Sequence, residues 1–320
     1  MRTQKISIIL CTYNGEAYLR EQIDSLLAQT YPFYELIVQD DCSTDGTGQI
    51  IHTYGEQYPD RNIRFHANPR RLGFNRNFLT ALQRATGEYI ACCDQDDIWL
   101  PDKLETLMRE IGDSPLIFHN SYVMDGSPKP RLLYATPLPT SFPPLCAILY
   151  PRAYGHQMLF RQEVRGGLKP FMDYNMSYDY LLFTLAGSMG RVRYLHTPLV
   201  HWRRHEEAAT YRGDAPKASK WSGYLQAIRA LRKADNRRRT TLYFSLLGQV
   251  PFRDDTAGQA VRLMAKGSLW GILSACLLCL RHRQEAAPGV QGAVQCLRAF
   301  FLPLAFIRDH GRYIINPLRP

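Results

Sequence analysis

Three carboxylates crowd into four positions in the stretch Cys92-Cys93-Asp94-Gln95-Asp96-Asp97-Ile98-Trp99. They stand where the apolar run Tyr89-Ile90-Ala91 gives out. Like charges at that range repel, and each carboxylate resists leaving water. A divalent cation answers both problems. A hard ion such as Mg²⁺ takes carboxylate oxygens and keeps positions open for phosphate oxygens. Asp94 and Asp96, two apart, point to the same side of an extended segment, which suits them to one ion. The plain alternative is a solvated loop in which Asp97 caps the helix expected from Pro101.

Such a cluster needs a strand behind it and others beside it. Ile6-Ser7-Ile8-Ile9-Leu10 is a continuous apolar run, fit for a strand buried on both faces. Cys11-Thr12-Tyr13-Asn14-Gly15 breaks it. Asn14 reads as a helix N-cap, and Leu19, Ile23, Leu26 and Leu27 recur on one helical face. Residues 35–38 form the next strand, running into Asp40-Asp41. Residues 63–65 form a third, residues 75–85 a helix with Arg76 near its start, and residues 89–93 a fourth strand. This alternation predicts an α/β fold, a doubly wound sheet with helices on both faces. In such sheets ligands bind beyond the carboxyl ends of the strands. Thr12-Tyr13, Asp40-Asp41 and the acidic stretch are therefore expected to converge. Further on, residues 101–111 read as a helix, 116–123 as a strand, and 126–151, with seven prolines, as a long loop. Residues 178–185 read as a helix, and 192–195 and 199–202 as two strands.

The chain has 320 residues, 45% hydrophobic, enough for one large core and a smaller second unit. Its net charge of +10 is uneven: residues 201–320 carry 20 Lys and Arg against 8 Asp and Glu. From Trp221 onward, basic and apolar residues alternate at helical spacing. That pattern suits either helices packed on the catalytic unit or interfacial helices lying on anionic lipid. The longest apolar run, residues 269–280, is too short to span a bilayer. Eight cysteines are scattered, and Cys276-x-x-Cys279 lacks ligands at zinc spacing, so it reads as packing. The first apolar run is too short for a signal peptide, which predicts a reduced, cytoplasmic chain, peripheral on the inner face of the membrane if the basic tail docks there.

Four stretches taken in order, residues 6–15, 38–45, 68–77 and 87–97, resemble family 2 glycosyltransferases of the GT-A fold. The resemblance covers roughly residues 4–206. It implies a mixed GT-A sheet over residues 1–210 and a basic, mainly helical region over 211–320. The segments Ser177-Tyr178-Asp179-Tyr180 and Pro198-Leu199-Val200-His201-Trp202-Arg203-Arg204-His205 are similar to members that build bacterial surface polysaccharides, rhamnosyltransferase-like ones included. In those members the first segment usually reads His-Asp-Trp and the second Tyr-Arg-x-His; here tyrosines flank the Asp, and Trp202 replaces the Tyr.

The resemblance implies roles for single residues. Tyr13 packs near the nucleobase, Thr12 contacts the nucleoside, and Asp41 accepts the N3–H of uracil or thymine. Arg76 contacts nucleotide or phosphate. Asp96 binds Mg²⁺ or Mn²⁺ directly, Asp94 holds the ribose or the metal and its water, and His205 is a further metal or diphosphate ligand. Asp179 is the base, at the start of a helix whose dipole favours its ionised form; Asp173 is a rival. The implied reaction is inverting transfer from a UDP- or dTDP-sugar to a saccharide or lipid-linked acceptor. A sugar nucleotidyltransferase would carry a basic Gly-rich loop after the first strand, where this chain has Cys-Thr-Tyr-Asn-Gly-Glu. A membrane or nucleic-acid adaptor leaves the acidic cluster unexplained, and no nucleic-acid partner is expected.

Overall fold

The computed structural model describes residues 4–127, 129, 131–204, 220–311 and 314–317. They fall into two units whose segments interleave along the chain. One holds the described residues of Met1–Leu138, Ala153–Arg165 and Arg193–Tyr211; the other holds those of Pro139–Arg152, Gly166–Val192 and Arg212–Pro320.

The first unit starts with β1 (Ile6–Thr12), α1 (Leu19–Leu27), β2 (Glu35–Asp40), α2 (Thr47–Gln57), β3 (Ile63–Ala67), α3 (Phe74–Leu82) and β4 (Tyr89–Cys93). β5 (Ile98–Trp99), α4 (Lys103–Glu110), β6 (Leu116–Met124), β7 (Arg131–Leu132), β8 (Met158–Arg161) and β9 (Val192–Arg203) follow. The strands lie in the order β3-β2-β1-β4-β8-β6-β9-β5, with β7 on β6. The first four are mutually parallel. β8 runs antiparallel between β4 and β6, β9 is parallel to β6, and β5 is antiparallel to β9. This is the mixed α/β sheet expected. Ile6, Ile8, Leu10, Leu36 and Val38 pack with Leu19, Ile23 and Leu26 of α1 in one core. Gly87 lets the turn into β4 press on β1: a Cβ there would stand 2.8 Å from the Lys5 carbonyl and the Ser7 nitrogen.

Several local readings are corrected. Asn14 caps no helix. It sits at φ +47° and α1 begins at Leu19. Asp97 does not cap α4, whose N-cap is Asp102. The two strands expected at residues 192–202 are one, β9, with register shifts on either side of Pro198, which has no N–H for the ladder. The proline-rich stretch is not all loop: Pro144–Leu149 is helical (α5), with proline in the first turn where its missing N–H costs nothing.

The second unit is mostly helical. Besides α5 it contains α6 (Tyr178–Met189), α7 (Lys220–Arg232), α8 (Ala234–Leu247), α9 (Asp255–Ala265), α10 (Leu269–Arg281) and α11 (Gly292–His310). α6 is apolar nearly all round and approaches α5 so closely that a Cβ on Gly187 would stand 2.9 Å from Ala147 Cβ. Thr184 and the Tyr243 hydroxyl share a 2.6 Å hydrogen bond between α6 and α8, beside the ring cluster of Phe171, Phe244 and Phe306. Asp254 and Ser268 cap α9 and α10, each accepting a backbone N–H. Cys276 and Cys279 are buried free thiols on α10, as the packing reading expects. Among the described residues no helix is long and apolar enough to cross a membrane.

Candidate active site

The loops that leave β1 and β2 are stitched together. The Asn14 N–H donates to Ser43 Oγ at 2.8 Å, and Asn14 Oδ1 accepts the Thr44 N–H at 2.9 Å. The Gly15 N–H donates to Thr47 Oγ1 at 2.8 Å, and Glu16 Oε2 accepts the Gly46 N–H at 2.7 Å. Asparagine tolerates the left-handed backbone this bridging needs. Thr12 Oγ1 donates to Asp40 Oδ1 at 2.7 Å. The acidic turn joins through Gln95, which accepts the Tyr13 N–H at 2.8 Å and donates to the Tyr13 carbonyl at 3.0 Å. The three strand ends therefore converge, as the topology predicts.

Asp41 is buried and organises the loop before α3. Its Oδ1 accepts from Asn68 Nδ2 at 2.8 Å and the Leu72 N–H at 2.6 Å, and its Oδ2 accepts the Gly73 N–H at 2.7 Å. A carboxylate has about four acceptor sites, so these three leave room for one further donor. The loop also lays the Arg71 guanidinium 3.8 Å from the Tyr13 ring centre. Arg76 is half-buried in the first turn of α3, beside Asn77, whose carboxamide bonds Asn68 and the Gln39 carbonyl.

Beyond β4, Asp94 Oδ2 lies 3.7 Å and Asp97 Oδ2 3.9 Å from His156 Nδ1. Facing atoms of these three residues all lie within 4.8 Å of one another. Asp96 is half-buried in the same turn but outside this trio. Asp97 is fully buried. Its Oδ1 accepts the Arg203 N–H at 3.1 Å, while Oδ2 has no hydrogen-bond partner among the described residues. Burial, then the charges of Asp94 and Asp96, push its carboxyl well above the usual range. Buried Lys103 donates to the His156 carbonyl at 2.7 Å and lies 3.2 Å from the Trp99 ring centre; burial lowers its pKa to about 7. Burial also lowers the pKa of His156, against the pull of Asp94. A neutral imidazole with two carboxylates, one holding an orphaned oxygen, fits a divalent cation. The His156 ring stacks on Trp202, 5.5 Å between centres, and Trp202 stacks on Tyr154 at 5.4 Å. Arg203 clamps the turn: its Nε donates to the Asp96 carbonyl at 2.9 Å and its Nη2 pairs with Glu21 at 2.6 Å.

In the second unit Asp179 lies in the first turn of α6. Its Oδ1 accepts from the Ser177 hydroxyl and, at 2.8 Å, from the Tyr180 N–H. Asp173 is exposed and outside any helix. His205 lies outside the described residues.

Comparison with known proteins decides the family. The model of "Glycosyl transferase family 2" matches residues 7–164, from β1 through the His156 segment. Those residues are a family 2 glycosyltransferase domain. An uncharacterised glycosyltransferase of Nostoc sp. is 30% identical over 215 residues, 63% of this chain and 65% of its own length. The putative teichuronic acid biosynthesis glycosyltransferase TuaG of Bacillus subtilis is 33% identical over 135 residues, 41% of this chain and 52% of its own. The chain thus spans less than two thirds of either relative. The crystal structure of Staphylococcus aureus TarS 1–349 with UDP-GlcNAc shares the fold, with a TM-score of 0.52 at 20% identity over 95% of this chain and 89% of that one.

Around the acidic turn, sequence reasoning missed four residues of the cluster. His156 and Lys103 carry no motif. Gln95 is the middle residue of Asp94-Gln95-Asp96, and its link to Tyr13 has no local signature. Arg203 stands inside a motif that was read for its histidine. Two buried charged groups that meet only through the sheet, Lys103 and Asp97, leave no trace in local spacing.

Proposed function

We propose that the chain is an inverting glycosyltransferase of cell-surface polysaccharide synthesis. It moves a sugar from a UDP- or dTDP-type donor to a hydroxyl of a saccharide or lipid-linked acceptor. One observation carries this reading. Inside a family 2 domain, the Asp94-to-Asp97 turn meets the Thr12-Tyr13 loop, which brings a cation-binding end up to a nucleoside-binding end. The teichuronic-acid name of one relative supports polysaccharide synthesis, and the UDP-GlcNAc bound by TarS supports a nucleotide-sugar donor.

Asp41 receives the imide N–H of the base through its remaining acceptor site. Tyr13 supplies a ring face to the base, on the side away from Arg71. The Thr12 hydroxyl already donates to Asp40, so it meets the nucleoside as an acceptor. Arg76 faces the phosphates. Asp94 is common to the sequence motif and the geometric trio, so it holds the metal under either ligand set: Asp96 and His205 by motif, or Asp97 and His156 by geometry. Mg²⁺ or Mn²⁺ bound there supplies Lewis-acid stabilisation of the charge that collects on the leaving diphosphate. Asp179 takes the proton of the attacking hydroxyl, and the two donors on its Oδ1 hold its carboxyl group in place. Attack from the face opposite the diphosphate inverts the anomeric centre.

The same reading places the second unit against anionic lipid. On α10 Leu269, Trp270, Leu273 and Leu277 are exposed, Trp270 by 78%, between Lys266 and Arg281. Leu225 and Ile228 of α7 are exposed as well, whereas Phe300 and Phe301 are half-buried and Phe301 packs on Tyr224. The Trp221 side chain lies outside the described residues.

A donor screen tests the enzyme. With UDP- and dTDP-sugars and Mn²⁺, slow release of UDP or dTDP is expected, and EDTA should stop it. Pyrophosphate-dependent formation of a nucleoside triphosphate would instead identify a nucleotidyltransferase. Neither reaction, with tight lipid or nucleic-acid binding, would identify an adaptor.

A further inference from the structure

A cavity of about 500 Å³ opens in the second unit, within the range of roughly 300–1,000 Å³ usual for small-ligand sites. It is lined by Tyr150 and Arg152 from the segment after α5, Tyr180 from the first turn of α6, Gln226 from α7, and Arg308 and His310 from the end of α11. Asp309 completes the wall. Tyr150 and Arg152 fall inside the stretch that matches the family model, whereas Tyr180, Gln226, Arg308, Asp309 and His310 lie beyond it.

The lining has a definite chemistry. Two guanidinium groups and one carboxylate give it a net charge of +1. Arg308 is committed to Asp309, through Nε at 2.6 Å and Nη2 at 2.7 Å, and its Nη1 donates to the Gly223 carbonyl at 3.0 Å. It therefore builds the wall and sets its charge locally to zero. Arg152 is exposed and holds its guanidinium 4.1 Å from the Tyr150 ring centre. A guanidinium is always charged, and its fork of N–H donors matches a carboxylate or phosphate. His310 is buried and meets Tyr180 edge-on at 4.7 Å. Burial keeps its imidazole neutral, with a pKa of about 4, so it offers hydrogen bonds without charge. The Tyr180 ring and the Gln226 amide suit the C–H face and hydroxyls of a sugar. A cavity with one net positive charge beside aromatic rings selects a saccharide unit that carries one negative charge.

We propose that this cavity binds an anionic sugar residue of the acceptor, a uronate or a sugar phosphate, with Arg152 as the residue that reads the charge. The placement beside Asp179 rests on the glycosyltransferase reading above. Tyr180 lines the cavity and follows Asp179 in the first turn of α6, so on that reading the cavity stands one residue along the helix from the proposed base.

Direct titration of the full-length protein tests this without turnover. The probes are a glucuronic-acid-containing disaccharide, glucose 1-phosphate and a neutral disaccharide of equal size, followed by calorimetry or ligand-observed NMR. Wild type should bind at least one charged probe about tenfold or more tighter than the neutral one, and added salt should erode that preference. Whichever charged probe binds tighter identifies carboxylate or phosphate as the group read. Arg152→Gln should abolish the preference and leave the weak neutral binding as it was; because Arg152 is exposed, this variant should fold, which circular dichroism checks. Equal binding of charged and neutral probes, no binding of either charged probe at millimolar concentration, or an unchanged preference in Arg152→Gln would overturn the inference. The donor-release assay on wild type is run beside it. Release without charge selectivity sinks the cavity inference alone, whereas charge selectivity without release sinks the glycosyltransferase reading and leaves the anion site standing.

Discussion

Asp97→Asn should make the metal-free protein more stable while depriving it of its response to metal. The carboxyl is fully buried, one oxygen has no partner among the described residues, and Asp94 repels its charged form. An asparagine keeps the 3.1 Å bond from the Arg203 N–H through Oδ1. Its amide group replaces the orphaned oxygen and faces the Asp94 carboxylate as a donor, since the two side chains approach within 4.8 Å. Relief of one unsatisfied buried polar atom is worth about 1–3 kcal/mol. On a chain of this size that raises the melting temperature by on the order of 1–5 °C. Mn²⁺ should act unequally on the two proteins. At a hundred times its Kd it stabilises a protein that binds it only when folded by about 2.7 kcal/mol. Wild type should show that shift and Asp97→Asn should lose most of it. Scanning calorimetry in EDTA and in 1 mM Mn²⁺ reads all four values. A metal-free variant less stable than wild type that still keeps the full Mn²⁺ shift would refute both the electrostatic reading and the ligand role.

Three further outcomes follow from the same geometry. Asp179→Asn should lower kcat by roughly 10²–10⁴-fold with donor affinity near wild type; near-normal turnover, or loss of nucleotide binding, would remove Asp179 as the base. His310, its pKa lowered from about 6.5 to about 4 by burial and by the charges of Arg152 and Arg308 against Asp309, is protonated first in the unfolded chain. Its stabilisation is complete above pH 6.5 and falls by about 3 kcal/mol as pH drops to 4. His310→Gln should flatten that part of the pH–stability curve, as urea titrations at several pH values would show. Finally, the intact protein should sediment with anionic vesicles at low salt, less so at high salt, and Trp270→Ser should weaken it several-fold. Indifference to vesicles at low salt would leave the α10 stripe without a lipid partner.

The first four strands and the convergence of their ends were legible because each strand is a buried apolar run that breaks into polar residues at one end. α1 was legible from the spacing of Leu19, Ile23 and Leu26, all buried. The sequence misled where side chains serve the tertiary structure. Asn14 has the composition of a cap, yet it bridges two loops in a left-handed conformation that its own segment does not announce. Pro143-Pro144 has the composition of a loop but starts a helix. His156 was out of reach because its partners, Asp94 and Asp97, meet it only once β8 inserts between β4 and β6. The two-unit division is equally nonlocal: residues 139–152 and 166–192 join the helical unit although they interrupt the sheet in sequence.

The claim on which the proposed chemistry rests is that the Asp94-to-Asp97 turn holds a divalent cation beside a bound nucleotide. Mn²⁺ binding followed by electron paramagnetic resonance, with and without UDP, measures it directly, with Asp94→Asn as the comparison because Asp94 belongs to both candidate ligand sets. Wild type should bind one Mn²⁺ per chain, more tightly when UDP is present, and Asp94→Asn should weaken that binding at least tenfold. Mn²⁺ affinity that is indifferent to UDP and unchanged in Asp94→Asn would contradict it.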